Sequence, residues 1–532
     1  MLLRQLIEAL SDPSAYPQPF EEVQIHQTHI SVVFLVGDLA YKLKKPVTLG
    51  FVDYGTPERR RHFCQEEVRL NRRLAPEIYL GVVPVTHESG SIRMEGTGEV
   101  IDWAVKMRRL PGEATLRARL ADGGVGAAEL KELARRLAKF HASAQSGPQV
   151  SARGSLEVIA RNARDNLDEA TTHVGATLSR SVLDRLRART ETALGRLGRL
   201  IEDRARRGVP RDTHGDLRLD HVYWFPDRDS PNDWIAVDCI EFDERFRHAD
   251  PIADIAFLAM ELSLEGRADL AGAFVEEYIR AADDEEGRSL LPYYRAYRAA
   301  VRGKVEGMKL TQPEVPEADR AAARARARAL WLFALSELEE PHRRPCLVLV
   351  AGLPGSGKST LDRALAESAG FTVIRSDVVR KELADASGYT PSPAAFGEGL
   401  YAAEWNERTY DECSRRAEGL IFEGRRVLVD ASFREEARRR LFLDAGRRLG
   451  ITTCFLLCRA DPEVVRERIA RRQDDASDAD WVIHQGAVRH WEEPGPQTEP
   501  VVRRIDTGGS LSQSVSKALK VLRDLGLLAT EG

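Results

Sequence analysis

The stretch "GLPGSGKST", residues 352–360, has the spacing GxxxxGK[ST]. Glycines at 352, 355 and 357 let the backbone curl until its N–H groups point inward at an anion. The apolar run "CLVLVA" precedes it and the helix-compatible "TLDRALAES" follows, so a helix N-terminus adds its positive dipole. Lys358 can reach the outer phosphates of a nucleotide and Ser359 can offer an oxygen to Mg²⁺. Gly352, Gly355, Ser356, Gly357 and Thr360 complete this cradle. A second stretch, "THGDLRLDHVYWFP", residues 213–226, sets His214 and Asp216 beside Arg218, with His221 five residues after the aspartate. A carboxylate so placed can take the proton of a hydroxyl as it attacks phosphorus.

Other residues fit the same chemistry. "RRVLVDASF", 425–433, reads as a strand ending in Asp430, where a carboxylate holds a metal directly or through water. "TVIRSDVVRKEL", 372–383, reads as a strand followed by Asp377 and, one helical turn on, Arg380. Asp377 is then a base for the attacking hydroxyl and Arg380 steadies phosphate or substrate; the alternative is a plain helix cap. "VVRERIARRQ", 464–473, puts Arg468, Arg471 and Arg472 on one helical face, which either closes over a triphosphate or is simply solvated.

"GLPGSGKST", "RSDVVR", "LVDASF" and "RERIARR" together resemble the P-loop kinases grouped around polynucleotide kinase, gluconate kinase, chloramphenicol phosphotransferase and zeta toxins. The resemblance covers residues 346–500 and implies ATP-dependent phosphoryl transfer to a hydroxyl. In polynucleotide kinases the Asp–x–x–Arg after the second strand supplies a base and a phosphate-positioning arginine, and Asp377 and Arg380 match that spacing. The acceptor varies across this group and is not named by the resemblance.

"HGDLRLDHV" resembles the aminoglycoside phosphotransferase and choline kinase group, whose loop reads HxDxxxxN. The resemblance implies Asp216 as the base and Arg218 as a phosphate contact. His221 departs from it by standing where an asparagine holds metal. Mg²⁺ prefers oxygen ligands while imidazole suits softer ions, so Mn²⁺ is the alternative at this site, and Asp220 is a substitute ligand. "WIAVDCIEF", 234–242, reads as a strand ending in Asp238, 22 residues after Asp216, where the group keeps its main metal aspartate. "HADPIADIAFL" places Asp254 to brace the loop. In "LAYKLKKP", Lys42 and Lys44 share one strand face, and Lys42 is the preferred contact for the α and β phosphates. Glu67 falls on the apolar face of the next helix, where pairing with Lys42 satisfies it. A charged edge strand is the plainer reading of the lysines.

These residues need two kinds of scaffold. Residues 22–48 read as strands with a hairpin turn at Gly37-Asp38, 57–75 as a helix, and 103–112 as a strand running into an inter-lobe hinge at Pro111-Gly112. Helical periodicity dominates 177–207 and about 253–338; Arg298 and Arg302 in this stretch read as a solvated face, with the lining of an acceptor pocket as the alternative. From "CLVLVAG" onward strand, loop and helix alternate. The expected fold is therefore a two-lobed α+β kinase-like domain followed by an α/β P-loop domain with a parallel sheet wrapped by helices. The boundaries are 1–110 for the N-lobe, 111–338 for the helical C-lobe, 339–345 for a linker and 346–532 for the P-loop domain.

Composition narrows the partners. Lys and Arg total 78 against 83 Asp and Glu, a net charge of −5, which gives no overall basic footprint for nucleic acid. A 5′-hydroxyl end remains open as an acceptor, but a small-molecule hydroxyl is the expected one. Six cysteines scattered through 532 residues, without a CxxC pair, fit a reducing cytosol, and no apolar run is long enough to span a membrane. The function expected is an ATP- and Mg²⁺-dependent bifunctional phosphotransferase. The alternative is one active P-loop kinase or ATPase regulated by a degenerate N-terminal domain.

Overall fold

The computed structural model describes the chain except for residues 1–2, 19–20, 50–51, 89, 231, 313–314, 387–401, 472–480 and 530–532. It divides into two compact units. The first comprises Met1–Ala160, Leu197–Ser263 and Arg267–Tyr294; the second comprises Arg161–Arg196, Leu264–Gly266 and Arg295–Gly532. Residues 161–196 and 295–338, assigned by sequence to the first module, thus cluster with the second unit.

In the first unit, alternation of apolar and polar residues builds an antiparallel sheet. Its spatial order is Gln24–Gln27, Ser31–Val36, Leu39–Lys44, Glu99–Arg108, Tyr79–Glu88 and Ser91–Met94. Gly37 and Asp38 make the tight turn between the second and third strands. Tyr41 and Leu43 point to one face, into a core with Val32, Phe34, Val36 and Val85. The period of two therefore sends Lys42 and Lys44 to the other face. There the helix Pro57–Asn71 packs, started by Thr56, whose side chain accepts from Arg59 N, and by Pro57 in the first turn. It ends at Asn71, short of the expected Ala75. The Asn71 side chain is used elsewhere: its Oδ1 accepts from Cys239 N at 2.9 Å.

Past this sheet, Val222–Trp224 pairs antiparallel with Trp234–Ala236. The second of these strands ends at Ala236, two residues before the Asp238 that was expected to close it. Asp238 instead sits at φ 63°, in the left-handed region that non-glycine residues rarely enter. Val237 N donates to His221 O at 2.9 Å, so this ladder carries the catalytic-type loop and Asp238 side by side.

In the second unit the apolar runs build a five-stranded parallel sheet, ordered Thr372–Arg375, Arg426–Asp430, Cys346–Ala351, Thr452–Arg459 and Val502–Asp506. Val348, Val350, Leu428 and Leu456 form the middle of its core with Leu361 and Leu365 of the helix Lys358–Ala369. The register aligns Arg375 and Val350 with Asp430, so the chemistry-bearing residues meet at the carboxyl ends of the strands. Arg298 is buried, not solvated, and Arg302 pairs with Glu306 at 2.7 Å. The segment 339–345 is held down: buried Glu339 accepts from both Arg185 and Arg189 at 2.7 Å. Among the described residues no helix is long and apolar enough to cross a membrane.

Candidate active sites

The first site is built on a loop that its own backbone requirements fix. Gly215 has φ 85°, and a Cβ there would lie 3.0 Å from Phe246 O. Only glycine fits between His214 and Asp216 without displacing backbone. Asp254, fully buried, braces the loop as expected: its carboxylate accepts from His214 N at 3.1 Å and Gly215 N at 2.8 Å. His141, which the sequence reading passed over, meets the same Asp254 Oδ2 that accepts from His214 N, at 3.0 Å. His214 itself is buried, with Nε2 3.0 Å from Val237 O. Burial outweighs the attraction of Asp254 and pulls its imidazole down to about 4, so it is neutral at physiological pH.

Asp216, His221 and Asp238 converge. One ligand atom from each lies within 4.8 Å of the others. His221 Nδ1 is 3.0 Å from Asp216 O and 3.4 Å from its carboxylate, and Nε2 is 3.5 Å from Asp238 Oδ2. Arg218 lies against both, 3.1 Å from Asp216 Oδ2 and 2.5 Å from His221 Nε2. Burial first, then the Arg218 guanidinium, lower the His221 imidazole and keep it neutral. Three donors of mixed oxygen and nitrogen character are a fitting set for a divalent cation. Asp220 does not join them, because Arg117 holds it at 2.6 Å.

Lys42 reaches this cluster from the sheet. Its Nζ is 2.5 Å from Asp238 Oδ1 and 2.9 Å from Glu67 Oε1. Desolvation works against the Asp238 carboxylate, but the Lys42 ammonium, helped by Arg218, overrides it and holds Asp238 far below its ordinary range. Lys44 is buried one step deeper, 2.7 Å from Glu67 Oε2 and ion-paired with Glu241. Tyr54 donates to Glu241 at 2.6 Å. The sequence reading noticed neither Glu241 nor Tyr54. The signal available was Glu241 three residues after Asp238, in a segment too apolar to tolerate an unpaired acid.

The second site is the phosphate cradle. Gly352, Gly355 and Gly357 have φ of 147°, 83° and 82°, and Gly357 caps the helix that begins at Lys358. Lys358 makes no ion pair among the described residues, which leaves its ammonium for an anion. Ser359 Oγ donates to Asp430 Oδ2 at 2.9 Å, while the buried Asp430 Oδ1 has no hydrogen-bond partner. A hydroxyl beside an orphaned carboxylate oxygen suits a hard cation such as Mg²⁺. Asp362, one turn beyond Ser359, was not foreseen. Burial and the neighbouring Asp430 push its carboxyl up to about 8, so it keeps its proton at neutral pH.

Arg468 lies over the cradle. Its Nη2 donates to Thr507 O at 2.7 Å, and its buried Nη1 has no partner and faces the position of Gly357. Arg471 points away, with a side chain 82% exposed, and Arg472 lies outside the described residues. Ser356 is buried and Thr360 exposed, but both border the cradle. Gly355, Gly357, Thr360, Arg468, Thr507 and the exposed Leu511 line one cleft. A second cleft, on the other side of Lys358, holds Asp377 and Arg380, which are 2.9 Å apart, together with Asn406 and Tyr410. Asp377 stands in the first turn of the helix Ser376–Ala386, facing this cleft.

These features define a kinase-type, ATP-dependent phosphotransferase with two kinase-type domains. The Phosphotransferase enzyme family matches residues 55–299, and a P-loop AAA domain matches residues 347–492. The chain is 33% identical over 513 residues to uncharacterized proteins of Mycobacterium tuberculosis and Mycobacterium bovis, covering 95% of this chain and 96% of theirs. It belongs to the family that these mycobacterial proteins represent. Among solved structures, a gluconokinase from Sinorhizobium meliloti is 20% identical and covers 35% of this chain and 95% of its own, with a TM-score of 0.27. A sugar kinase from Janibacter is 18% identical, covering 35% of this chain and 98% of its own, with the same score.

Proposed function

We propose that the chain is a bifunctional kinase, with one phosphoryl-transfer site in each unit and a small-molecule hydroxyl as acceptor at each. The observation that carries this reading is duplication. Each unit holds its own lysine, its own metal-type acids and its own candidate base, all from residues of that unit.

In the first unit, Lys42 holds the α and β phosphates, with Glu67 fixing the lysine. Asp216 takes the acceptor proton, Arg218 offsets charge on the transferring group, and Asp238 with His221 would hold the cation. In the second unit, the cradle glycines, Lys358 and Arg468 hold the triphosphate, and Ser359 with Asp430 would hold Mg²⁺. Asp377 takes the acceptor proton, and Arg380 orients it. The cation, when bound, neutralises phosphate charge as it moves to the bridging oxygen. Phosphoryl transfer asks little covalent chemistry of a protein, so positioning and charge carry the catalysis. A cytosolic location belongs to the same reading.

ATP turnover by Asp216→Asn, Lys358→Ala and the double variant tests it. Partial turnover in each single variant and none in the double one is expected. Complete loss in Lys358→Ala alone would favour the other reading, in which the first unit regulates a single active kinase. His221 in place of asparagine is the observation behind that second reading.

A further inference from the structure

Asp238 leaves the strand Trp234–Ala236 in a left-handed conformation, so the backbone N–H groups around it need partners of their own. Four consecutive ones find them. Val237 N donates to His221 O at 2.9 Å and Ile240 N to His214 O at 3.2 Å, both in the catalytic-type loop. The two between them go to side chains instead. Asp238 N donates to the Tyr79 hydroxyl at 3.2 Å, and Cys239 N to Asn71 Oδ1 at 2.9 Å. Tyr79 opens the strand Tyr79–Glu88 and Asn71 closes the helix Pro57–Asn71. Both are buried, and Tyr79 sits among the apolar side chains of Val68, Ile78 and Val105, where an unused hydroxyl would be costly.

A non-glycine residue at φ 63° persists only where its surroundings over-determine it. The Lys42 ion pair grips the Asp238 carboxylate and leaves the backbone free. Tyr79 and Asn71 grip the backbone. Asn71 Nδ2 also donates to Glu67 O at 2.9 Å, one helical turn back on the same face. The helix that holds Lys42 through Glu67 therefore holds Cys239 N through Asn71. Two residues on, Arg73 donates to Asp212 O at 2.6 Å and to Thr213 O at 2.9 Å, just ahead of His214 and Asp216. The short segment 71–79 thus sets the position of both loops of the first site.

We propose that Asn71 and Tyr79 are positioning residues of the first site. By holding the amides of Cys239 and Asp238 they keep Asp238 in the left-handed conformation that brings its carboxylate to His221 and Lys42. This rests on the reading of Asp238 as a cation ligand. Neither side chain touches the cation or a substrate; their effect passes through Asp238.

The test uses the full chain carrying Lys358→Ala and Asp430→Asn, which silences the second site. Mn²⁺ affinity is read by electron paramagnetic resonance, and ATP affinity without any cation by calorimetry. Asn71→Leu keeps the size of the side chain and removes the acceptor; it should weaken Mn²⁺ binding about tenfold. Tyr79→Phe, which keeps the ring, should weaken it less, and the double variant more than either. ATP affinity should stay unchanged in all three, because Glu67 still holds Lys42 at 2.9 Å. Val68→Ala thins the packing of the same helix, and it should lower the unfolding temperature with Mn²⁺ affinity intact. Unchanged Mn²⁺ affinity in the double variant overturns the proposal. So does a parallel fall in metal and nucleotide affinity, or an equal loss of Mn²⁺ in Val68→Ala, since either marks a merely structural role. Failure of the unaltered first site to bind Mn²⁺ at all is a separate result, and it removes the cation-ligand reading and this proposal together.

Discussion

Replacing Lys44 by methionine gives the clearest view of how the first site is held. The Lys44 side chain is 1% exposed and contacts Glu67, Glu241 and Tyr54. After Lys44→Met, Glu67 still has Lys42 at 2.9 Å, while Glu241 loses its lysine ion pair and keeps the Tyr54 hydroxyl at 2.6 Å. A buried carboxylate in that position takes up a proton rather than stay charged. The penalty is then capped by the work of protonating it, about 3.7 kcal/mol at pH 7 for an ordinary glutamate and about 1.6 kcal/mol at pH 5.5. This agrees with the roughly 3–5 kcal/mol found for halves of buried ion pairs. A carboxyl raised in the folded state binds more protons than the unfolded chain, so stability falls as pH rises. Hydrogen exchange at the amides of Leu39–Lys44, across a urea series at both pH values, isolates this unit in a chain that is not two-state. The variant Lys44→Met with Glu241→Gln should recover most of the loss and show no pH dependence. An equal penalty at both pH values, or no relief from Glu241→Gln, would refute the reasoning.

Gly215→Ala should cost about 2–4 kcal/mol and lower first-site turnover, because a side chain at φ 85° meets backbone at 3.0 Å; thermal unfolding with a turnover assay checks it. His214 is lowered to about 4, so its contribution is complete above its ordinary value near 6.5 and is lost as pH falls through that window, about 3 kcal/mol in all. Histidine NMR titration, with the His214 signal assigned by its loss in His214→Gln, should show that imidazole still neutral at pH 5; titration of the His214 ring near 6.5 would contradict the burial argument. Arg468→Gln should raise the KM for ATP at the second site about tenfold with little change in kcat, since its orphaned Nη1 is a phosphate donor in waiting. Steady-state kinetics in the Asp216→Asn background reads this directly.

Much of both sites was legible because motif spacing and element period agree. The run 352–360 announces strand, loop and helix at once, and the structure adds only distances. The alternation in Leu39–Lys44 assigned both lysines to one face, but it could not say which of them meets Asp238. That is decided by where the loop after Trp234–Ala236 turns, and the turn depends on a left-handed Asp238 that propensity disfavours. Glu241, Tyr54, His141 and Asp362 escaped for a common reason. Each acts through a partner distant in sequence or hidden by burial, and sequence spacing reports neither. Helical periodicity is plain over 177–207 and about 253–338, yet an amphipathic pattern cannot name the unit a helix packs with, and residues 161–196 and 295–338 cluster with the second.

The altered loop turns on His221. Its Nδ1 lies 3.0 Å from the Asp216 carbonyl oxygen, so Nδ1 donates and carries the proton of the neutral ring. Nε2 is then the lone-pair nitrogen, and Arg218 donates to it at 2.5 Å. An asparagine would present an amide oxygen here, a ligand suited to Mg²⁺; the imidazole presents nitrogen, which favours Mn²⁺. The guanidinium on Nε2 must also yield before that nitrogen can bind an ion. His221→Asn should therefore weaken Mn²⁺ binding about tenfold while leaving Mg²⁺ binding equal or stronger. Electron paramagnetic resonance titration of Mn²⁺ in the Asp430→Asn background, with Mg²⁺ as competitor, measures both without relying on turnover. If the two ions keep the same ratio of affinities in His221→Asn, the imidazole is not a ligand, and the loop uses His221 only to orient Arg218.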